Sequence, residues 1–375
     1  MTRLITGAWS VCFAVLCFLA FGCKPDVNPH TLQVGVIMPL TGNVASLGVP
    51  CFNGMKLALK EFNQAKSASA RIEFIPEDTN ADATTAVAAF TKLATINHAI
   101  AILGPLTSTE ALAVAPIAER NRLVMISPGA STPALTSAGE YIFRNELSDL
   151  KGGAAQATLA FGKMGFRRMA ALYMNNAYGV GLVRVFQDTF ASLGGSIVST
   201  EAFQPDTVDF RSHLSKIKAA KPNAVLVIAV DEIVNIIRQA KELGLDIPIF
   251  TTPIFENETY IKQLGPLADG VLYVYYGTFN SNATDSRTQH FTEAYKHTFD
   301  NEAPTYYSAL GYDAANLLFA ALSSSGLKPD DLRKHLHAIR DYPGVTGPSS
   351  FDSHGDIEKP VLLKTVAKGR FVIVP

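Results

Sequence analysis

The chain reads as an α/β protein of two doubly wound, Rossmann-like domains with parallel sheets, facing each other across a cleft. Three observations predict this. Short apolar runs alternate with helical repeats from residue 31 onward, and the scheme is gone through twice. The 353 residues after position 22 match about two domains of ordinary size. The strands are continuous apolar runs, the pattern of strands buried on both faces of a parallel sheet.

In order, Leu32 to Met38 is a buried strand closed by Pro39. The loop Thr41 to Gly48 then precedes a helix carrying Met55, Leu57, Ala58, Leu59 and Phe62. Ile72 to Ile75 is a short strand. Asp82 to Asn97 is a helix with Asp82 as its N-cap and Val87, Phe90, Leu93 and Ala94 at helical spacing. Ala99 to Leu103 is a strand, Thr107-Ser108-Thr109 opens a helix to about Arg120, and Leu123 to Ile126 is a strand running into Ser127-Pro-Gly-Ala-Ser-Thr-Pro133. The second half follows suit. Helices over 151–163, 179–193, 210–220 and 233–243 alternate with strands over 169–173, 197–201, 224–230 and 247–251; Gly194-Gly195 and Gly244 stop two of the helices. The set after Gly270, a strand over 271–276 and a helix over about 285–299, is expected to return the chain to the first domain.

The first 23 residues stand apart. Arg3 is a short basic start, Leu4 to Phe21 is almost unbroken apolar sequence, and Gly22 places a small residue before Cys23. That order is a secretory signal, taken as residues 1–22, and its end is similar to the lipobox of bacterial lipoproteins, in which the cysteine is lipidated. Ala20 and the bulky Phe21 depart from that pattern. An uncleaved anchor is the alternative, since about 18 apolar residues just span a bilayer. Either way the body is expected outside the cytoplasm, tethered to a membrane.

Net charge is −1, which leaves no electrostatic footprint for nucleic acid. Of four cysteines, Cys12 and Cys17 lie in the signal and Cys23 at its end, so Cys51 alone cannot form an internal disulfide and reads as a small packed hydrophobe. No metal site is expected, because zinc needs several Cys or His ligands at set spacings. His335 and His337, two apart on a helix, point to nearly opposite faces and read as surface residues. No cofactor motif is present: neither a P-loop nor a Gly-x-Gly-x-x-Gly turn occurs. A hydrolase is disfavoured as well. Gly129-Ala130-Ser131 begins like a nucleophile elbow but continues Thr132-Pro133, so no catalytic residue is assigned.

In an open parallel sheet, ligands bind beyond the carboxyl ends of the strands. Two neighbouring loops there are rich in small hydroxyls and free amides. Ser108 stands in the first turn of a helix whose N–H groups lack partners and whose dipole favours a carboxylate. In the loop 127–131, Gly129 permits close approach and Ser131 offers an amide and a hydroxyl.

The chain resembles the type I periplasmic binding proteins that deliver substrates to ABC transporters, in the branch of the Leu/Ile/Val-binding proteins. The resemblance runs from Leu32 to Val374. It rests on VGVIMPLTGNVASLG at 34–48, NGMKLALKEFN at 53–63, ILGPLTSTEALAVAPIAE at 102–119 and ISPGASTPALT at 126–136. NNAYGVGL at 175–182, DFRSHLSKIKAAKPNAVLV at 209–227, IIRQAKELGL at 236–245, residues 306–315 and FDSHGDIEKP at 351–360 continue it. It implies two lobes, 31–149 plus 278–350 and 150–277 plus 351–375, joined by a multi-strand hinge and closing on a small-molecule ligand. It also implies an ABC permease with its ATPase as partners, and a monomer held to the membrane by a lipid anchor. By position, Ser108 and the amide and hydroxyl of Ser131 match the family's carboxylate grip, in the loop Gly129-Ala130-Ser131. The Gly129 carbonyl would accept from a ligand ammonium, and Tyr178 matches the aromatic residue that covers the ligand.

Departures concern the ammonium half of the site. Ala229 stands where amino-acid binders carry a second tyrosine, Ile254 where they carry an acid, and Leu47 where an aromatic is common. Glu256, Asp231 and Glu232 are the candidate replacements for that acid. Asn80 and Thr107 occupy the positions of the family's first-domain disulfide. An ammonium buried without a carboxylate is costly. The nominal ligand is therefore a branched-chain amino acid, with an aromatic or aliphatic carboxylate as the alternative and a sensory role beside transport.

Overall fold

The structure is a computed structural model that describes residues 31–65, 70–324 and 328–375. The signal and the lipid site at Cys23 lie outside the described residues. Among the described residues no helix is long and apolar enough to cross a membrane.

The first half runs β1 (Thr31–Met38), α1 (Ala45–Gln64), β2 (Arg71–Asp78), α2 (Ala83–Thr95), β3 (Ala101–Leu103), α3 (Ser108–Asn121), β4 (Met125–Ser127) and β5 (Ile142–Arg144). Its five strands are parallel in the order β2-β1-β3-β4-β5. Val34, Val36, Ile37 and Met38 of β1 are all fully buried, so both faces of the sheet are covered, as continuous apolar strands require. Asp82 caps α2 by accepting from the Thr85 amide at 2.7 Å. The loop after β1 is shorter than its sequence suggests, because α1 already starts at Ala45.

The second half runs α4 (Asp149–Thr158), β6 (Arg168–Met174), α5 (Ala177–Ser192), β7 (Ser196–Phe203), α6 (Arg211–Ala219), β8 (Ala224–Ile228), α7 (Ile233–Glu242), β9 (Ile249–Thr251), α8 (Glu258–Leu264) and β10 (Leu272–Tyr276). After it come α9 (Ser286–Thr298), α10 (Tyr306–Ser324), α11 (Pro329–Ala338), the hairpin β11 (Tyr342–Gly344) and β12 (Gly347–Ser349), then β13 (Val361–Ala367) and β14 (Arg370–Ile373). The second sheet has the order β14-β13-β10-β9-β8-β6-β7. Its first five sequential strands are parallel, and β13 and β14 add an antiparallel edge.

Three expectations need correction. The strand after Gly270 does not return to the first sheet: β10 pairs with β9, and it is the helices that cross back, α9 and α10 packing on α1 and α11 reaching Arg122, Tyr141 and Phe143. β5 and α8 are additional elements, too short to impose a period. His337 is no surface decoration; its ring lies 4.7 Å from that of Phe143. Cys51 is fully buried, which pushes its thiol well above the ordinary range and leaves it a packing residue.

Candidate functional site

The carboxyl ends of β3 and β4 lie side by side, so the loops after them share one wall. Thr107 caps α3 with its hydroxyl accepting from the Glu110 amide at 3.3 Å. That leaves Ser108 as the first helical residue, 3% exposed. Its Oγ accepts the amides of Ser131 at 3.3 Å and Thr132 at 3.2 Å, so its own proton is free to donate outward. Ser127 staples the same two loops, donating to the Pro105 carbonyl at 2.6 Å and accepting from Ala130 at 3.0 Å. A Cβ on Gly129 would come within 2.8 Å of the Leu106 side chain and 3.2 Å of its carbonyl, so a larger residue here must displace the Leu106 methyl.

Beneath the second loop lies a buried ion pair. Arg144 Nε and Nη2 reach the two Asp356 oxygens at 2.6 and 2.7 Å, and Nη1 donates to the Thr132 carbonyl at 2.8 Å. The fork geometry of arginine fixes the loop in register with the segment between β12 and β13 that carries Asp356.

These loops form one wall of a cleft of about 530 Å3. The facing wall comes from the second sheet's loops: Asn176 and Tyr178 at the start of α5, Val230 and Glu232 after β8, Thr252 to Ile254 after β9, and Tyr276 at the end of β10. Asn176 caps α5 by accepting from Gly179 at 2.9 Å, which sets Tyr178 in the first turn. Two contacts bridge the walls. Ser46 Oγ donates to Asp231 Oδ1 at 3.1 Å, and the Ala177 amide donates to Thr109 Oγ1 at 3.4 Å.

The floor holds two carboxyls that the sequence reading did not single out, Glu146 and Asp149. Burial pushes both up to about 7. Asp149 Oδ2 accepts from the Ser131 hydroxyl at 2.9 Å. Glu146 Oε1 accepts from Tyr306 and from the Leu147 amide, both at 2.8 Å. The buried Lys359, its own pKa lowered by desolvation, offsets part of the Glu146 shift. Two hydroxyls in the cleft are buried without a well-formed hydrogen bond among the described residues: Tyr276 Oη, and Thr252 Oγ1, which faces the Tyr178 hydroxyl. The run Asn145-Glu-Leu-Ser-Asp149, with two acids directly after an apolar strand, was the signal available for this floor.

The residues read from the sequence divide into two groups. Ser108, Gly129, Ser131 and Tyr178 line one cleft, together with Leu47, Asn80, Thr107, Glu232 and Ile254. Ala130, Ala229, Asp231 and Glu256 do not line it. Ala130 and Ala229 are buried beneath the loops. Asp231 is held by Ser46 and by Tyr260 at 2.6 Å. Glu256 is turned into its own lobe, paired with Lys364 and accepting from Tyr273 at 2.7 Å. The amide of Ser131, expected to face a ligand, is taken by Ser108. Among the described residues no group of three His, Cys, Asp or Glu could hold a metal ion.

The family model described as Periplasmic binding protein matches residues 31–370. The leucine-specific-binding protein of Salmonella typhimurium is 26% identical over 346 residues, 91% of this chain and 92% of that protein. A leucine binding protein from Thermotoga maritima shares the fold with a TM-score of 0.85 at 27% identity, over 92% of this chain and 98% of that one. A solute binding protein from Rhodopseudomonas palustris BisB5, solved with 3,4-dihydroxy benzoic acid, gives 0.81 at 26% identity, over 90% of this chain and 93% of that one. With two α/β sheets, a cleft between their loops and a family match along almost all of its described length, this chain belongs to the type I periplasmic binding proteins.

Proposed function

We propose that the chain is the extracytoplasmic substrate-binding component of an ABC importer, not an enzyme, and that its cleft takes a branched-chain amino acid or a related small carboxylate. The observation that carries this reading is the convergence of Ser108, Ser131 and the α3 N-terminus on one wall of the cleft. The Ser108 hydroxyl and the first-turn amides supply donors and a favourable dipole for a carboxylate without any arginine. Tyr178 and the loops after β8 and β9 cover the ligand when lobes 31–149 plus 278–350 and 150–277 plus 351–375 swing together about their connecting segments. Closure presents the shape that a permease with its ATPase would recognise. Lipidation at Cys23 would hold a monomer at the membrane.

A carboxylate without an amine is the second reading, favoured by Ile254 standing in the cleft wall where an acid is expected. A relative of similar identity was solved with such an acid. Thermal-shift measurements with leucine, isoleucine, valine, their keto acids and aromatic carboxylates separate the readings, since a ligand that binds only the folded state raises the midpoint. No shift with any of these carboxylates would discard the assignment of the cleft.

A further inference from the structure

The cleft has a second polar pole whose groups are unspent. Thr252 and Tyr276 are 1% and 3% exposed, and both line the cleft from the second sheet. Tyr276 Oη has no hydrogen-bond partner among the described residues, and Thr252 Oγ1 makes none of good geometry, facing only the Tyr178 hydroxyl, to which it can donate while its lone pairs stay open. A buried hydroxyl left unpaired costs stability, so such pairs mark a site that a ligand completes. Their neighbourhood indicates what kind of ligand group. A Cβ on Gly152 would fall 2.4 Å from Tyr276 Oη, which sets the phenol against the first turn of α4, the turn that Asp149 opens. Asp149 acts electrostatically on both Tyr276 and Tyr178. One Asp149 oxygen is engaged by Ser131; no protein donor reaches Oδ1 among the described residues. Ile254 lies two residues beyond Thr252 in the same turn and contributes no charge.

We infer that Thr252 Oγ1 and Tyr276 Oη, beside Asp149, accept the N–H groups of a primary ammonium on the ligand. An ammonium has three donors, and this corner offers three acceptors, two of them neutral. The amine subsite is thus built largely from hydroxyls, with its single charge supplied by the cleft floor and not by the loop after β9. This rests on the reading of the cleft as a carboxylate site and adds the group that distinguishes amino acids from their deaminated counterparts.

The test is calorimetric titration of the full-length protein and its T252V, T252S and Y276F variants with leucine and with 4-methyl-2-oxopentanoate, which differs only in bearing a ketone for the amine. T252V and Y276F should each weaken leucine by roughly tenfold or more, the usual loss for a bond to a charged group, while the keto acid changes little. T252S, which keeps the hydroxyl, should bind leucine like the parent. Y276F removes a single oxygen, so it carries the test even if T252V folds poorly. Equal losses for both ligands, or unchanged leucine binding in both variants, would overturn the subsite. A parent that binds the keto acid and not leucine would overturn it too, leaving the carboxylate reading intact. A parent that binds neither removes both.

Discussion

The Ser131 hydroxyl donates to Asp149 Oδ2 over 2.9 Å, and the Asp149 amide in turn donates to the Ser131 carbonyl at 2.8 Å. This reciprocal pair ties the ligand-side loop after β4 to the first turn of α4, where the chain leaves the first sheet for the second. The loop proposed to grip a carboxylate and the interlobe connection are therefore one mechanical unit.

Ser108 should be the residue on which carboxylate affinity depends most. S108A removes a free O–H donor and weakens any carboxylate ligand by about 1.5–3 kcal/mol. It also strips the acceptor from two buried amides, so a lower Tm should accompany the loss. The S108A/S131A double variant should fold and bind still more weakly. Calorimetry beside circular dichroism checks this, and unchanged affinity in the double variant would sink the assignment.

Stability should depend on pH through the cleft floor. Asp149, which faces Ser131, Arg144, Glu146, Tyr178 and Tyr276, and Glu146, which faces Lys359, Arg144, Tyr306 and Tyr307, have pKa values near 7 when folded. Unfolded carboxyls titrate near 4. Between these values the folded chain holds protons that the unfolded chain has released. The unfolding free energy accordingly falls as pH rises from about 4 to 7, by up to about 1.4 kcal/mol per pH unit for each group. Glu110, Glu232, Glu256 and Asp313 are raised as well, so the effect is read by difference. Urea unfolding of D149N should show a shallower decline than the parent between pH 5 and 7; parallel profiles would contradict the shift.

The same carboxyls make binding pH-dependent in a ligand-specific sense. An ammonium favours their ionised form, so leucine should bind more tightly as pH rises through 7. A keto acid, lacking the cation, should bind less tightly over the same range. Titrations at pH 6 and 8 distinguish the two slopes, and identical slopes would remove Asp149 and Glu146 from the ligand's surroundings.

Arg144 should be indispensable to folding. R144M leaves Asp356 buried without its partner, a change that costs about 3–5 kcal/mol, and frees the Thr132 carbonyl that holds the Ser131 loop. Adding D356N should recover part of that loss, as chemical denaturation of the single and double variants would show. A near-neutral R144M would mean that the pair is solvated.

Much of this was legible in the chain. β1, β8, α2 and α7 could be read because each carries a full period or an unbroken apolar run, and the meeting of Ser108 with the 129–131 loop could be read because Thr107-Ser108 and Gly129 to Ser131 are local signals at strand ends. β5, of three residues, and α8, of seven, lack the length for a period, and the extra strand β13, with β14 hairpinned to it, depends on a pairing partner about 90 residues away. The acid expected for the amine went astray for a related reason. Sequence places Glu256 two residues from Ile254, but which way a side chain turns at the end of a short loop is set by what it can pair with, and Lys364 on β13 claims it.

What the sequence by itself determined is the succession of its main strands and helices, the doubly wound class and the two hydroxyl-rich loops at neighbouring strand ends, since these follow from periodicity and from capping residues adjacent in the chain. Only the tertiary structure decided which acids face the cleft. Glu146 and Asp149 become cleft residues because the crossover after β5 runs beneath both walls; burial raises their pKa values, and for Glu146 the distant Tyr306 and Lys359 offset part of that rise. Desolvation is a property of the surroundings, and no window of sequence contains them.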